Sequence, residues 1–254
     1  MSLGLDMARY DNIGRTYSAT RRADPRIAAQ IDTALGDAQR VVNVGAGTGN
    51  YEPSHRDVVA LEPSITMIRQ RPAGAAPGVQ GAAEALPFKD QSFDAALCVL
   101  TTHHWTDLEA GLQELKRVAA RQVIFYFDVD FTTALWLVDD YFPEINDLET
   151  EQRAPGTDRF AQTLAITNVE TVPVPADCQD GFAGAYWNRP EVYLDPVVQE
   201  GMSCFAQLDT AIRERGMEQL RRDLESGAWD ARHGHLRTEP SHDFGYRILT
   251  AGLP

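Results

Sequence analysis

Three glycines at alternate positions follow a short apolar run in RVVNVGAGTGNYEP, residues 40–53. Gly45, Gly47 and Gly49 have no Cβ, so the backbone can turn tightly there and come close to a bound molecule. If a helix begins at this point, its free N–H groups are also available to bind an anion. Taken alone, the glycines equally fit an ordinary turn between a strand and a helix.

A carboxylate ends the apolar run that follows. Glu62 closes DVVALE, residues 57–62, and a carboxylate in that place can accept both hydroxyls of a ribose. The combination indicates a cofactor of the adenosine type. The third glycine comes one residue too early for the dinucleotide fingerprint G-x-G-x-x-G, and the absence of Gly-Lys-Ser/Thr excludes a nucleotide triphosphate loop.

Two adjacent histidines in TTHHWTD, residues 101–107, are the candidates for proton transfer. A neutral imidazole, with a pKa of about 6.5, can remove a proton near neutral pH. We therefore expect His103 or His104 to act as a general base, with Trp105 as a wall of the pocket. The alternative is that one histidine points away from the site and that Trp105 belongs to the core.

No metal site is expected from the remaining candidate ligands. Cys98, Cys178 and Cys204 are odd in number and widely spaced, which is typical of reduced thiols. His233 and His235 lack an evident third ligand nearby. We interpret these two histidines as solvated or core side chains.

Alternating strands and helices must position these groups. Predicted strands span 40–44, 57–62, 78–83, 93–100, 121–130, 168–175 and 245–251, and predicted helices span 25–35, 64–71, 107–120 and 157–166. Such alternation predicts right-handed crossovers and a mostly parallel sheet. Ligands bind such sheets beyond the carboxyl ends of the strands, where the glycines, the carboxylate and the histidines fall.

A long segment, 177–240, separates the last two predicted strands and contains helix signals and the aromatic stretch GFAGAYWNRPEVYL. We expect one domain, 1–254, made of an N-terminal lid and helix (1–37), a cofactor-binding core (38–176), a helical substrate cap (177–240) and a final strand (241–254). The aromatic side chains either form the floor of an acceptor pocket or hold the cap to the sheet.

Composition limits the classes of partner. The chain has 37 acidic and 23 basic residues and a formal charge of -14, which argues against a nucleic-acid partner. The sequence has no apolar run long enough to span a membrane and no basic-then-apolar leader, so we expect a cytoplasmic protein without a membrane partner. The sequence leaves the oligomeric state, including a homodimer, open.

Four stretches follow one another along the chain: VVNVGAGTGNYEP, VALEPS, GAAEALPFKDQSFDAALCVLTTHHWTD and LKRVAARQVIFYFD. Together they resemble the motifs of the class I S-adenosylmethionine (SAM)-dependent methyltransferases of type 11, over about residues 10–130. The resemblance implies an α/β, Rossmann-like fold with seven strands, mostly parallel, the last antiparallel, and helices on both faces. It also implies methyl transfer from SAM to O, N or C of a small organic molecule, leaving S-adenosylhomocysteine (SAH).

The resemblance further implies which residues touch the cofactor. The glycine loop, with Ala46, would line the methionine part of SAM, and Glu62 would hold the ribose. The remaining contacts that it implies involve the adenine or flank the cofactor: Ile65, Met67, Ala83, Glu84 and Leu100. Many relatives have an aspartate where this chain has Ala82, so adenine recognition here rests on backbone, water or another side chain.

The segment YDNIGRTYSATR, residues 10–21, matches the part that relatives use as a lid. Arg21 would pair with the methionine carboxylate, because a guanidinium matches a carboxylate fork. Tyr17 would bind the same carboxylate or face the sulfonium. An alternative function is a SAM- or SAH-binding protein without methyl transfer, cyclase-like or regulatory. The charge opposes an RNA methyltransferase, and the glycine spacing opposes a nicotinamide-dependent dehydrogenase.

Overall fold

The computed structural model describes residues 21–131 and 135–253. One sheet contains seven strands in the order β3-β2-β1-β4-β5-β9-β6, and β9 alone runs antiparallel to its neighbours. Its strands are β1 Arg40–Val44, β2 Asp57–Glu62, β3 Gly78–Gln80, β4 Phe93–Val99, β5 Ala119–Phe127, β6 Ile166–Thr171 and β9 Tyr246–Gly252. The predicted Rossmann-like, seven-stranded sheet is confirmed.

Nine α-helices surround this sheet within the described residues. They are α1 Pro25–Leu35, α2 Ile65–Arg69, α3 Leu108–Val118, α4 Glu149–Gln152, α5 Thr157–Ala161, α6 Pro196–Glu200, α7 Ser203–Gln207, α8 Thr210–Ser226 and α9 Ala228–His233. Short 3-10 turns span 102–104, 129–131, 143–147, 190–194 and 234–238, and a π-helical turn spans 137–141. No helix among these described residues is long and apolar enough to cross a membrane.

The first helix shows how local sequence sets an element. The Asp24 carboxylate accepts a hydrogen bond from the Arg26 N–H at 3.0 Å and caps α1. Ile27, Ile31 and Leu35, four residues apart, are buried against one face of the sheet. Each such side chain contributes about 1.5–3 kcal/mol when fully buried. The helix is therefore fixed by one cap and one apolar stripe.

Strand β1 lies at the centre of the sheet, between β2 and β4. Val41 packs into the core on one face, and Val42 and Val44 pack into the core on the other. Burial on both faces explains why the strand is an almost continuous apolar run. The strand order reverses between β1 and β4, which places a ligand crevice beyond the end of β1.

The predicted strand 168–175 is wrong in its second half. The sheet strand β6 ends at Thr171, and a separate pair forms between β7 Val174–Pro175 and β8 Ser241–His242. Pro173 and Pro175 have no N–H group to donate to a continuing sheet ladder, which explains the break. Strand β3 is also shorter than predicted, and α5 ends at Ala161 rather than at residue 166.

The aromatic side chains of 177–240 lie in the core. Trp187 and Tyr193 are fully buried, and Phe182 packs on Tyr246 of β9 with ring centroids 4.7 Å apart. The Trp136 indole N–H donates to the Trp187 carbonyl at 2.8 Å. None of the aromatic residues of that stretch lines the cavity described below. These contacts favour the interpretation that they hold the segment to the sheet.

Candidate active site

The glycine loop after β1 turns through left-handed backbone conformations, with φ of 72° at Gly45, 53° at Gly47 and 95° at Gly49. The N–H groups of Gly45 and Ala46 both donate to the Leu61 carbonyl, at 2.9 and 3.0 Å. A Cβ on Gly45 would lie 2.0 Å from the Thr101 hydroxyl oxygen. Glycine is therefore required at this position by both conformation and space.

The Glu62 carboxylate holds the other side of this loop. One of its oxygens accepts from the Gly47 N–H at 2.8 Å, and the other accepts from the Ser64 N–H at 3.0 Å. The side chain is 6% exposed and lines the cavity. Desolvation raises the pKa of Glu62 despite these two hydrogen bonds. Each carboxylate oxygen can accept a second hydrogen bond, so the group can also receive ligand hydroxyls.

A buried polar network supports the loop from below. Arg71 pairs with Glu52 at 2.6 Å, and its other guanidinium nitrogen donates to the Gly47 carbonyl at 3.2 Å. The Asn43 amide donates to Glu52 at 3.0 Å. Sequence reasoning missed these three residues. The available signal was a polar asparagine inside the otherwise apolar run of β1.

A cavity opens between the glycine loop, the ends of β2 and β4, and the helices α4 and α7. Its lining includes most of the predicted cofactor residues: Arg21, Gly45, Ala46, Gly47, Glu62, Met67, Ala83, Glu84 and Leu100. Gly49 and Ile65 do not line it. Gly49 instead faces Glu52 and Arg71, and Ile65 is 37% exposed at the start of α2. Tyr17 lies outside the described residues.

Glu84 positions one wall of this cavity. Its carboxylate accepts from the Thr106 N–H at 2.8 Å, from the Thr106 hydroxyl at 2.9 Å and from the Asp107 N–H at 3.2 Å. Leu100, at the end of β4, has a φ of 48°, which is unfavourable for a branched side chain. Strain of this kind persists where surrounding contacts over-determine the backbone.

Arg21 lies at the cavity but is already paired. Its guanidinium binds both oxygens of Asp180, at 2.7 and 3.2 Å, and the Asn50 amide donates to the same carboxylate at 3.2 Å. The side chains of Arg21 and Asp180 are 10% and 0% exposed. The contact joins the glycine loop to segment 177–240. Sequence reasoning did not identify Asp180 or Asn50.

The two predicted histidines occupy different places in the 102–104 turn. Their ring centroids are 3.8 Å apart, and His104 lines the cavity whereas His103 does not. Desolvation, and then the charge of Arg21, lower the pKa of His103 to about 4. His103 is therefore neutral at pH 7 and a weak proton acceptor. Trp105, buried against α3, also contributes to the cavity wall.

The cavity has the groups that an adenosine-type sulfonium cofactor would need. Asn43 is 1% exposed, lines the cavity, and its side-chain oxygen has no hydrogen-bond partner within the described chain. An orphaned acceptor of this kind suits an ammonium or another donor. The glycine cradle leaves room where a Cβ would stand, and Glu62 offers acceptors to hydroxyls. The residues present therefore fit SAM.

Comparison with known proteins agrees with this geometry. The family model of the type 11 methyltransferase domain matches residues 42–127. A solved structure from Anabaena variabilis, assigned as a methyltransferase of an antibiotic biosynthesis pathway, is 32% identical with a TM-score of 0.84, covering 92% of this chain and 99% of its own. The chain belongs to the class I SAM-dependent methyltransferases.

Two curated relatives of this methyltransferase match over shorter stretches. The uncharacterized methyltransferase YcgJ of Bacillus subtilis is 31% identical over 41% of this chain and 42% of its own length. A demethylmenaquinone methyltransferase of Mycolicibacterium paratuberculosis is 27% identical over 70% of this chain and 80% of its own. The sequence match thus spans less than half the length of YcgJ.

Within the part of the methyltransferase that the structure describes, no group of three or more His, Cys, Asp or Glu side chains could hold a metal ion.

Proposed function

We propose that this methyltransferase moves the methyl group of SAM onto O, N or C of a small organic molecule in the cytoplasm. The observation that carries the proposal is one continuous cavity. It extends from Gly45, Gly47 and Glu62 to Thr150, Ser203 and Gln207 of the helices that cover the sheet. Such a cavity is suited to place an acceptor atom beside the end of a cofactor.

The cofactor end of the cavity would hold SAM through the glycine loop and Glu62. Bound SAM would supply an electrophilic methyl group on a positively charged sulfur. Glu62 would accept the ribose hydroxyls, and the orphaned Asn43 oxygen would accept from the methionine ammonium. Met67 and Ala83 would pack beside the adenine. Because Arg21 already pairs with Asp180, it would meet the methionine carboxylate only as part of that ion pair.

The acceptor end has neutral hydrogen-bonding groups. The Thr150 hydroxyl donates to the Gln207 side-chain oxygen at 3.3 Å, and Ser203 lies one helical turn before Gln207. Among the lining residues that the structure describes, Arg21 is the cation, and Asp180 neutralises it. This lining favours an uncharged acceptor with hydroxyl or amide groups. The Anabaena relative's assigned pathway agrees with a small organic substrate.

General-base catalysis remains the proposed role of the two histidines, which differ in their position relative to the cavity. His104 lines the cavity and would contact the acceptor, whereas His103 does not line it. A small-molecule substrate also agrees with the formal charge of -14, since an RNA substrate needs a basic channel.

The test is a transfer assay with methyl-labelled SAM and a panel of phenols, alcohols, amines and acidic carbon compounds. We expect labelled product together with an equal amount of SAH for at least one acceptor class. Tight binding of SAM without SAH formation across the panel would instead favour the SAM-binding alternative. Label transferred to tRNA and to no small molecule would contradict the proposal.

A further inference from the structure

One buried polar side chain on the cavity wall has only half of its hydrogen-bonding groups satisfied. Asn43 lies near the end of β1, is 1% exposed and lines the cavity. Its side-chain nitrogen donates to Glu52 at 3.0 Å, whereas its side-chain oxygen accepts no hydrogen bond from the residues that the structure describes. A fourth valine in this strand would avoid the cost of burying that oxygen. The asparagine therefore indicates a ligand that donates a hydrogen bond.

Glu52 determines which end of the Asn43 amide is left for a ligand. An amide has a donor end and an acceptor end, whereas a carboxylate in an ion pair can only accept. The Asn43 NH2 group must face the Glu52 carboxylate, because the reversed amide would set one acceptor oxygen against another. The Asn43 oxygen is thereby the end that stays available.

The Glu52 carboxylate is itself held in one orientation. One of its oxygens accepts from Asn43, and the other pairs with Arg71 at 2.6 Å. The side chains of Arg71 and Glu52 are 5% and 8% exposed. Arg71 also donates to the Ala76 carbonyl at 3.0 Å and to the Gly47 carbonyl at 3.2 Å. A carboxylate with both oxygens engaged in this way fixes its neighbour before a ligand binds.

Support of the glycine loop is the alternative role of Glu52. Arg71 reaches the Gly47 carbonyl, and a Cβ on Gly49 would lie 3.1 Å from a Glu52 oxygen, so the ion pair packs against the loop. This packing explains why Glu52 pairs with Arg71. It does not explain the second hydrogen bond, to Asn43, or the Asn43 oxygen that the protein leaves without a donor.

We propose that Glu52 is a positioning residue for the cofactor, which orients the Asn43 amide so that its oxygen accepts from the methionine ammonium of SAM. The inference rests on the proposed function. Glu52 does not line the cavity, so it acts through Asn43. An oxygen in this place binds a donor and repels a carboxylate, so it selects which substituent of the methionine points toward β1. Because the amide is already oriented, binding does not have to order it.

Two probes in calorimetric titrations separate the amino-acid end of the cofactor from its adenosine end. SAH carries the ammonium group, whereas 5′-methylthioadenosine has the adenosine and the sulfur without the amino acid. Glu52→Gln should lower the affinity for SAH at least about fivefold, because a glutamine donates as well as accepts and no longer fixes the Asn43 amide. The affinity for 5′-methylthioadenosine should not change. Equal SAH affinities in wild type and Glu52→Gln, or equal losses for both probes, would overturn the proposal.

Asp223→Asn is the matched control. It also removes the carboxylate of an ion pair with an arginine, Arg232, and Asp223 is 11% exposed and does not line the cavity. The variant should keep wild-type affinity for both probes. A selective loss of SAH affinity in Asp223→Asn as large as that in Glu52→Gln would show a general effect of losing a carboxylate and would overturn the proposal.

A double-mutant cycle separates positioning from support of the loop. Asn43→Ala removes the acceptor and should lower SAH affinity about tenfold or more, as expected for a hydrogen bond to a charged group. If Glu52 acts through Asn43, Glu52→Gln should cause no further loss in the Asn43→Ala background. A loss of the same size in both backgrounds would show that Glu52 supports the loop and would overturn the proposal.

A second variant covers damage to the fold. Glu52→Gln leaves Arg71 buried without its carboxylate, so the same titrations are made with Glu52→Gln/Arg71→Gln, in which two neutral amides replace the ion pair. This variant should show the same selective loss of SAH affinity, and wild-type affinity would overturn the role of Glu52 alone. Failure of the wild type to bind SAH would overturn the proposed function and this inference with it.

Discussion

At the scale of single residues, two carboxylates on the cavity wall, Glu84 and Glu62, differ in their hydrogen-bond partners and therefore in what they can do. Glu84 accepts three hydrogen bonds from the 106–107 backbone and side chain and fixes a wall. Glu62 accepts two and keeps capacity for a ligand. The hydrogen bonds that each carboxylate accepts from the protein thus favour a structural role for Glu84 and a ligand-binding role for Glu62.

Substitution of Gly45 in the glycine loop should weaken the binding of SAH. Gly45→Ala combines a left-handed φ with a contact of 2.0 Å to Thr101, so the loop must move and SAH affinity should fall at least about tenfold. Gly74→Ala is the matched control, because Gly74 has a φ of 91° and no atom within 4 Å of a built Cβ. It should cost about 1–2 kcal/mol of stability and leave SAH binding unchanged. Calorimetric titration and urea denaturation measure the two effects, and equal SAH affinities in both variants would contradict the steric argument.

Burial of His103 should lower the stability of the folded protein at acid pH. Its pKa is lowered from 6.5 to about 4, so the unfolded chain binds a proton in this pH range that the folded protein does not. Stability should therefore fall as the pH drops from about 6.5 to about 4, by up to about 3 kcal/mol, because one pKa unit corresponds to about 1.4 kcal/mol. His103→Gln should lose this component, and the exposed His235→Gln serves as control. Identical pH profiles for wild type and His103→Gln would refute the assigned burial.

At the scale of elements, two ion pairs connect segment 177–240 to the chain that precedes the sheet, and they differ in solvent exposure. The pair between Arg21 and Asp180 is buried, whereas the pair between Arg26 and Asp177 is largely exposed. Both join the start of α1 to the same stretch. The buried pair also reaches the glycine loop through Asn50, so it links the cofactor side of the cavity to the segment that covers it.

The two pairs should respond very differently to removal of the acid. Asp180→Asn removes a buried carboxylate partner of Arg21, a change that typically costs about 3–5 kcal/mol. Asp177→Asn removes an exposed pair and should leave the free energy of unfolding nearly unchanged. Urea denaturation measures both. Comparable losses in the two variants would mean that Asp180 does not carry the connection between these elements.

The elements that were correctly predicted are those whose sequence has a local cause. Strands β1 and β2 are apolar runs with polar residues at their starts, and α1 and α3 have an aspartate cap and one apolar stripe. The second half of the predicted strand 168–175 failed because two prolines redirected the chain. Most of the cofactor residues that the motifs predict line the cavity. Asp180 lies far in sequence from Arg21 and Asn50, which it contacts in the structure, so no local pattern could have indicated it.

At the scale of the whole molecule, the charge of -14 is the property that most limits the substrate. A nucleic acid would meet a repulsive field over most of the surface, and binding would require local basic patches to overcome it. A small neutral acceptor is unaffected by this field. The overall charge and the uncharged groups at the Thr150 end of the cavity therefore both support the proposed small-molecule substrate.

The net negative charge predicts that the protein does not bind tRNA at 0.15 M salt. Fluorescently labelled tRNA should show no change in anisotropy with the protein at micromolar concentration in 0.15 M salt, since few counterions would be released on contact. The same titration at low salt is the control for weak, non-specific attraction. Saturable binding of tRNA at 0.15 M salt would instead support an RNA substrate.

We expect SAM to bind against the glycine loop with its ribose on Glu62, and calorimetric titration of SAH into wild type and Glu62→Gln measures this directly. One SAH should bind per chain, and the affinity should be at least about 100-fold lower in Glu62→Gln, because hydrogen bonds to a charged group contribute about 1.5–3 kcal/mol each. Acidification should weaken wild-type binding at a pH above the ordinary glutamate value of 4.5, since the pKa of Glu62 is raised. No binding of SAH to the wild type, or equal affinities in the two proteins, would rule out this mode of cofactor binding.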